Sequence, residues 1–68
     1  MDIEVVINGA AQSIPEGQTV LDLLQQLHLD PSRVAVELDR RIVKQPRWSE
    51  TPVCAGAQIE IVQFVGGG

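Results

Sequence analysis

The chain ends in residues whose composition suits the presentation of a carboxylate. Three glycines, Gly66, Gly67 and Gly68, follow the apolar pair Phe64-Val65. A strand interior avoids glycine, because glycine packs no side chain and loses more conformational entropy on ordering. Extended residues in that number reach about 10 Å beyond the last packed side chain. We therefore expect the Gly68 carboxyl to be the reactive group, with Gly66 and Gly67 giving access. The alternative is a frayed or cloning-derived terminus.

Elsewhere the side chains that could do chemistry are few. His28 is the only histidine and Cys54 the only cysteine, and two ligands are too few for a metal site. Cys54 stands in an apolar stretch, so we expect it to be a small buried hydrophobe and not a nucleophile. Trp48 is expected to fill the core. These residues indicate a domain that is not itself an enzyme and that binds no metal or cofactor.

Size and charge narrow the class of protein. The 68 residues make one small domain, with 44% hydrophobic and 21% charged residues. A net charge of −4 argues against nucleic-acid binding, which needs clustered cations. The sequence has no apolar run of the roughly 20 residues that cross a bilayer. One cysteine fits a reducing cytoplasm. We expect a cytoplasmic protein that is a monomer when free.

The first half of the sequence predicts a hairpin and a helix. A β-branched strand over 3–7 is joined to a second strand over 10–14 by Asn8-Gly9, the strongest short signal for a type I′ turn. Thr19 and Asp22 form a capping box at the start of the helix. Its apolar face repeats at helical spacing in Val20, Leu23, Leu24 and Leu27. Asp30-Pro31 is expected to stop the helix.

The second half predicts strands over 34–38 and 42–43, an irregular stretch over 44–57 and a last strand over 58–65. One amphipathic helix must cover one side of a mixed sheet. This order indicates an α+β fold of the ubiquitin-like β-grasp type, with four to five strands packed on one helix. We expect residues 1–65 to form the domain and 66–68 a flexible glycine tail.

Strand periodicity also predicts a docking surface. In a β-grasp sheet the first and last strands are neighbours, and Val6, Val62 and Phe64 face away from the helix by the period of two. An apolar cluster beside a reactive terminus suggests a partner-binding surface. The alternative is that Phe64 wraps onto the edge of the core.

A set of short segments runs in order along essentially the whole chain: Asn8-Gly9, Gly17-Gln18-Thr19-Val20, Asp22-Leu23-Leu24, Val34-Ala35-Val36-Glu37-Leu38, Ile42-Val43, Trp48, Ile59-Glu60-Ile61-Val62 and the terminal glycines. Together they resemble the thiamin-biosynthesis sulfur carrier family, ThiS. The chain departs from the family at Gly56-Ala57-Gln58, where Gly-Asp usually precedes the last strand. That difference concerns turn stability and not function.

The resemblance implies that a partner adenylating enzyme activates the Gly68 carboxylate with ATP, and that a persulfide sulfur donor converts it to a thiocarboxylate. The carrier then delivers sulfur to thiazole synthase. Three alternatives remain open: a sulfur carrier for molybdopterin or tRNA thiolation, a ubiquitin-like protein modifier, and a binding module whose tail is inert.

Overall fold

The structure, a computed structural model, describes residues 1–64. The predicted glycine tail, 66–68, therefore lies outside the described residues. Within them the elements are β1 (Asp2–Ile7), β2 (Ala10–Pro15), α1 (Val20–Gln26), β3 (Val34–Leu38), β4 (Arg41–Val43) and β5 (Gln58–Gln63). Short 3₁₀ segments lie at Pro31–Arg33 and Gln45–Glu50.

The strands form one mixed sheet in the order β2-β1-β5-β3-β4. β1 and β5 are parallel, whereas the β1–β2, β3–β4 and β3–β5 pairs are antiparallel. The first and last strands are thus neighbours at the centre of the sheet. The α+β, ubiquitin-like β-grasp prediction is confirmed.

Both tight hairpins are built on residues with positive φ. Asn8 and Gly9 have φ of 51° and 84°, as the predicted type I′ turn requires. Asp39 and Arg40 have φ of 50° and 71° and connect β3 to β4 in the same way. In each case a two-residue loop fixes the register of the strands that flank it.

The helix begins as predicted and ends earlier than predicted. The Thr19 hydroxyl accepts a hydrogen bond from the Asp22 N–H at 3.2 Å, and the Asp22 carboxylate accepts one from the Thr19 N–H at 3.0 Å. α1 ends at Gln26, because His28 adopts a φ of 59°. The N–H groups of His28 and Leu29 then bond back to helix carbonyls, which is the Schellman arrangement. Asp30-Pro31 instead starts a 3₁₀ turn.

The core lies between α1 and the inner face of the sheet. Its buried residues come from four of the strands, the helix and the 44–57 region: Val5, Ile7, Ile14, Val20, Leu23, Leu24, Val34, Val36, Trp48, Val53, Ala57 and Ile59. Trp48 fills the core as predicted, and its indole N–H donates to the Val43 carbonyl at 2.7 Å.

The prediction that Cys54 is buried is wrong, because its side chain is exposed. The neighbouring Val53 takes the buried position, with 3% of its surface exposed. The Cys54 carbonyl accepts a hydrogen bond from the Ala57 N–H and so closes the turn before β5. An apolar local sequence did not identify which of the two residues faces the core.

Candidate functional site

The strand that leads to the carboxyl terminus is held firmly beyond the end of β1. The Asn8 backbone N–H donates to the Ile59 carbonyl at 2.8 Å. The Asn8 side-chain amide then accepts from the Ile61 N–H at 2.8 Å and donates to the Ile61 carbonyl at 3.2 Å. The amide therefore acts as one further backbone unit of β1, and β5 remains bonded on this edge after β1 has turned away.

On the other edge, β3 holds β5 to its end. Val34 is paired with Gln63, and the Phe64 N–H donates to the Arg33 carbonyl at 2.7 Å. The chain is thus bonded to the sheet as far as Phe64. Residues Gly66, Gly67 and Gly68, which carry the predicted chemistry, lie outside the described part of the chain.

Exposed apolar side chains gather on the outer face of the sheet, the face away from α1. Val62 and Phe64 are 59% and 54% exposed, and Ile42 on β4 is 75% exposed. The register pairs Ala35 with Val62. We call Ala35, Ile42, Val62 and Phe64 the outer patch.

A shallow hollow of about 290 Å³ lies within the outer patch. Ala35, Ile42 and Val62 line it together with the carboxylate residues Glu37 and Glu60. The surface can therefore accept an apolar group from a partner, and its carboxylates favour a partner with a positive charge.

Val6 does not join this patch. Val6 is paired with Gln58 on β5, and β1 ends one residue later, at Ile7. Val62 lies four residues beyond Gln58 along β5, which is about 13 Å from Val6 at the usual rise of a strand. Val6 is only partly exposed and lines a separate hollow with charged residues, Glu37, Arg40 and Glu60 among them. The predicted continuity from Val6 to Val62 is therefore corrected: the parallel register separates them.

Ile42 belongs to the outer patch but was not predicted there from the sequence. The signal was available, because a two-residue turn at Asp39-Arg40 pairs Leu38 with Arg41 and hence Glu37 with Ile42. Glu37 lies one residue out of phase with the buried Val36, so Ile42 must also face outward.

Other chemical groups lie apart from the patch. Hydrogen bonds from the Ser32 N–H and hydroxyl, followed by the charge of Arg33, lower the pKa of Asp30 below its usual range. In residues 1–64, no three His, Cys, Asp or Glu side chains are grouped so that they could hold a metal ion. No helix among the described residues is long and apolar enough to span a membrane.

Known proteins match the chain along nearly its whole length. A thiazole synthase from Paramagnetospirillum magneticum is 38% identical over 66 residues, which are 97% of this chain. The chain spans only 20% of that relative's length. The sulfur carrier protein ThiS of Escherichia coli is 32% identical over 66 residues, 97% of this chain and 100% of that protein.

The structural comparison agrees. The crystal structure of a thiamine biosynthesis protein (ThiS) from Geobacter metallireducens superposes with a TM-score of 0.84 and 28% identity, covering 97% of this chain and 100% of that one. The profile of the ThiS family matches residues 5–68, which include the three terminal glycines. The chain therefore belongs to the ThiS family.

Proposed function

We propose that the chain, a ThiS-family sulfur carrier, serves thiamine biosynthesis by bearing sulfur on the carboxyl group of Gly68. The observation that carries the proposal is the family match, which spans residues 5–68 and so includes the glycines that the sequence first singled out. The chain acts as a co-substrate of partner enzymes and not as a catalyst.

The chemistry explains why a carrier needs a partner. A carboxylate is a poor electrophile until one oxygen becomes part of a good leaving group. An adenylating enzyme joins the Gly68 carboxylate to the α-phosphate of ATP and releases pyrophosphate. The terminal sulfur of a persulfide donor then attacks the carbonyl carbon, and AMP leaves. Reduction of the resulting acyl disulfide by a thiol leaves the thiocarboxylate on Gly68.

The folded domain supplies the binding energy that holds the carrier on its partner enzyme. Ordering a glycine tail in an active site costs about 1–2 kcal/mol per residue. Gly66 and Gly67 allow the tail to thread a narrow channel, because they carry no side chain that must fit. Burial of Val62, Phe64 and Ile42 offsets the cost, since each exposes more than half of its surface in the free domain. Val6 lies outside this contact.

Thiazole synthase is the proposed acceptor of the sulfur. A protein of that name in Paramagnetospirillum magneticum contains a stretch that aligns with 97% of this chain at 38% identity. A carrier-like sequence within the acceptor protein is what a direct hand-over between the two would favour.

Intact-mass spectrometry tests the proposal. The purified chain with its authentic C-terminus is incubated with ATP, its cognate adenylating enzyme and a persulfide donor. The expected product has one oxygen replaced by sulfur and loses that sulfur when the cognate thiazole synthase and its other substrates are added. High-mass adducts on lysines would instead identify a modifier, and an unchanged mass would identify an inert tail. A loaded chain that gives up sulfur only to molybdopterin or tRNA-thiolating enzymes would reassign the pathway.

A further inference from the structure

The positive charges of this acidic chain are concentrated in one segment. Four of its five Lys and Arg residues fall within positions 40–47, a stretch that contains no Asp or Glu. The remaining cation, Arg33, lies 3.6 Å from Asp30 in an exposed ion pair. Charge is thus segregated along the chain, with one basic segment on a protein of net charge −4.

Three of these cations line a single groove. The groove has a volume of about 520 Å³ and lies between β4 and the 3₁₀ segment that follows it. Its lining contains Arg41, Lys44 and Arg47. We call it the basic groove. Within residues 1–64 none of the three lies within salt-bridge distance of a carboxylate, although acidic residues outnumber basic ones in the chain.

The lining is also partly apolar. Leu38, Ile42 and Val43 contribute to it, and Ile42 belongs to the outer patch as well. A groove that combines hydrophobic side chains with unpaired cations suits a peptide of alternating apolar and acidic residues. The phosphate backbone of a nucleic acid would make no use of the apolar lining and would be repelled by the rest of the molecule.

The backbone beside the groove is free to pair. β4 is the edge strand of the sheet. Because Leu38 and Arg41 flank a two-residue turn, they exchange ladder hydrogen bonds, as do Val36 and Val43. Ile42 lies between these pairs, so its N–H and carbonyl point to the side where the sheet has no further strand among the described residues. Charged side chains also protect an edge from aggregation, which is the competing explanation for the basic residues.

We propose that an acidic, extended segment of a partner protein binds in the basic groove and adds as a sixth strand to β4. Its carboxylates pair with Arg41, Lys44 and Arg47, while its backbone bonds to Ile42. This contact is distinct from the entry of the glycine tail into an active site, and it does not depend on sulfur chemistry.

The test is an NMR titration of the ¹⁵N-labelled full chain at low salt. The probe is an end-blocked peptide of alternating glutamate and valine, used to millimolar concentration, and the control peptide has lysine in place of glutamate. We expect the acidic peptide to shift the amides of Ile42 and Lys44 saturably, and the basic peptide to leave them unchanged. Lys44→Glu should weaken binding by about fivefold or more. The matched variant Arg33→Glu makes the same charge change away from the groove and should bind as the wild type does.

Each other outcome overturns the proposal. Absence of shifts would leave edge protection as the role of the cations. Equal effects of the two peptides, or of Lys44→Glu and Arg33→Glu, would mean that the groove has no specificity. Tighter binding of a single-stranded oligonucleotide at the same amides would replace the peptide with a nucleic acid. Concentration-dependent shifts without peptide would make a second copy of the chain the occupant. All these substitutions are at exposed side chains, so the fold should survive them.

Discussion

The two faces of the sheet are built from the same strands but differ in solvent exposure. On the inner face, Val5, Val36 and Ile59 expose at most 2% of their surface, because they belong to one core cluster with residues of α1 and Trp48. On the outer face, Ile42 and Val62 expose 75% and 59%. Adjacent positions along one strand therefore differ in role: one stabilises the core, and the other is exposed and is proposed to contact a partner.

Strand register, as much as residue type, decides which apolar side chains of this sheet are buried and which are exposed. If the register of β5 slipped by one residue, Ile61 would face outward in place of Val62, and the charged Glu60 would face the core. Asn8 opposes such a slip, because its side chain bonds both backbone groups of Ile61. A turn residue thus holds the outer patch in place.

The largest effect is expected on the inner face. Leu24→Ala should lower the free energy of unfolding by about 3 kcal/mol, because Leu24 is fully buried and its truncation leaves a cavity. The matched change Ile42→Ala on the outer face should cost less than about 0.5 kcal/mol. Urea denaturation measures both. Similar losses at the two positions would mean that the faces do not differ in their contribution to stability.

Substitution of Asn8, whose side chain fixes the register of β5, should have the next largest effect on the free energy of unfolding. Asn8→Ala should cost about 2 kcal/mol, since alanine is strained at positive φ and loses the two side-chain bonds to Ile61. Asn8→Gly keeps the favoured φ and should cost about 1 kcal/mol less. Hydrogen exchange of the Ile61 amide should speed up in both variants. Unchanged exchange would show that the side chain does not hold β5.

On the outer face the effect should fall on binding. Phe64→Glu should weaken the complex with the cognate adenylating enzyme by about tenfold, because it places a charge where apolar surface is buried. Ala11→Glu adds the same charge on the outer face of the sheet, on β2 opposite Val6 and far from the outer patch, and serves as the control. Calorimetric titration compares the two. Equal affinities would remove Phe64 from the interface, and equal losses would point to long-range repulsion.

The smallest effect belongs to the connection between helix and β3, which is part of neither face. The pKa of Asp30 is lowered in the folded state, so the unfolded chain binds its proton more readily. The stabilisation is present above the usual aspartate pKa and is lost as pH falls through the folded value. Asp30→Asn should flatten this part of the stability–pH curve measured by urea denaturation. An identical acid limb in wild type and variant would contradict the assignment.

Local signals in the sequence were sufficient for much of the fold. Asn8-Gly9 acts through its backbone conformation, and the Thr19–Asp22 capping box acts through side-chain bonds to backbone N–H groups three residues away. The geometry of both therefore follows from a few neighbouring residues. The bounds of β3 matched because its alternation of buried and exposed residues is clear. Trp48 was identified as a core residue because a single tryptophan in an irregular segment more often fills the core than forms an exposed stacking surface.

Other features depend on partners distant in sequence. The helix stops at Gln26 because His28 takes a left-handed conformation, which histidine does not prefer strongly enough to signal. Cys54 and Val53 are both apolar, and only the packed turn decides between them. Val6 was assigned to the outer patch because strand order was predicted without the β1–β5 register, on which its distance from Val62 depends.

The role of Gly68 as the sulfur-bearing residue is tested most directly by adding one alanine after it. The outer patch, the basic groove and the core are unchanged by this extension, so adenylating-enzyme binding and thermal stability should be preserved. Sulfur loading, followed by intact mass with ATP and the persulfide donor, should fall to zero, because the carboxylate is displaced by one residue and no longer belongs to glycine. An extended chain that takes up sulfur to the same extent as the wild type, without removal of the alanine, would contradict the claim that Gly68 carries the sulfur.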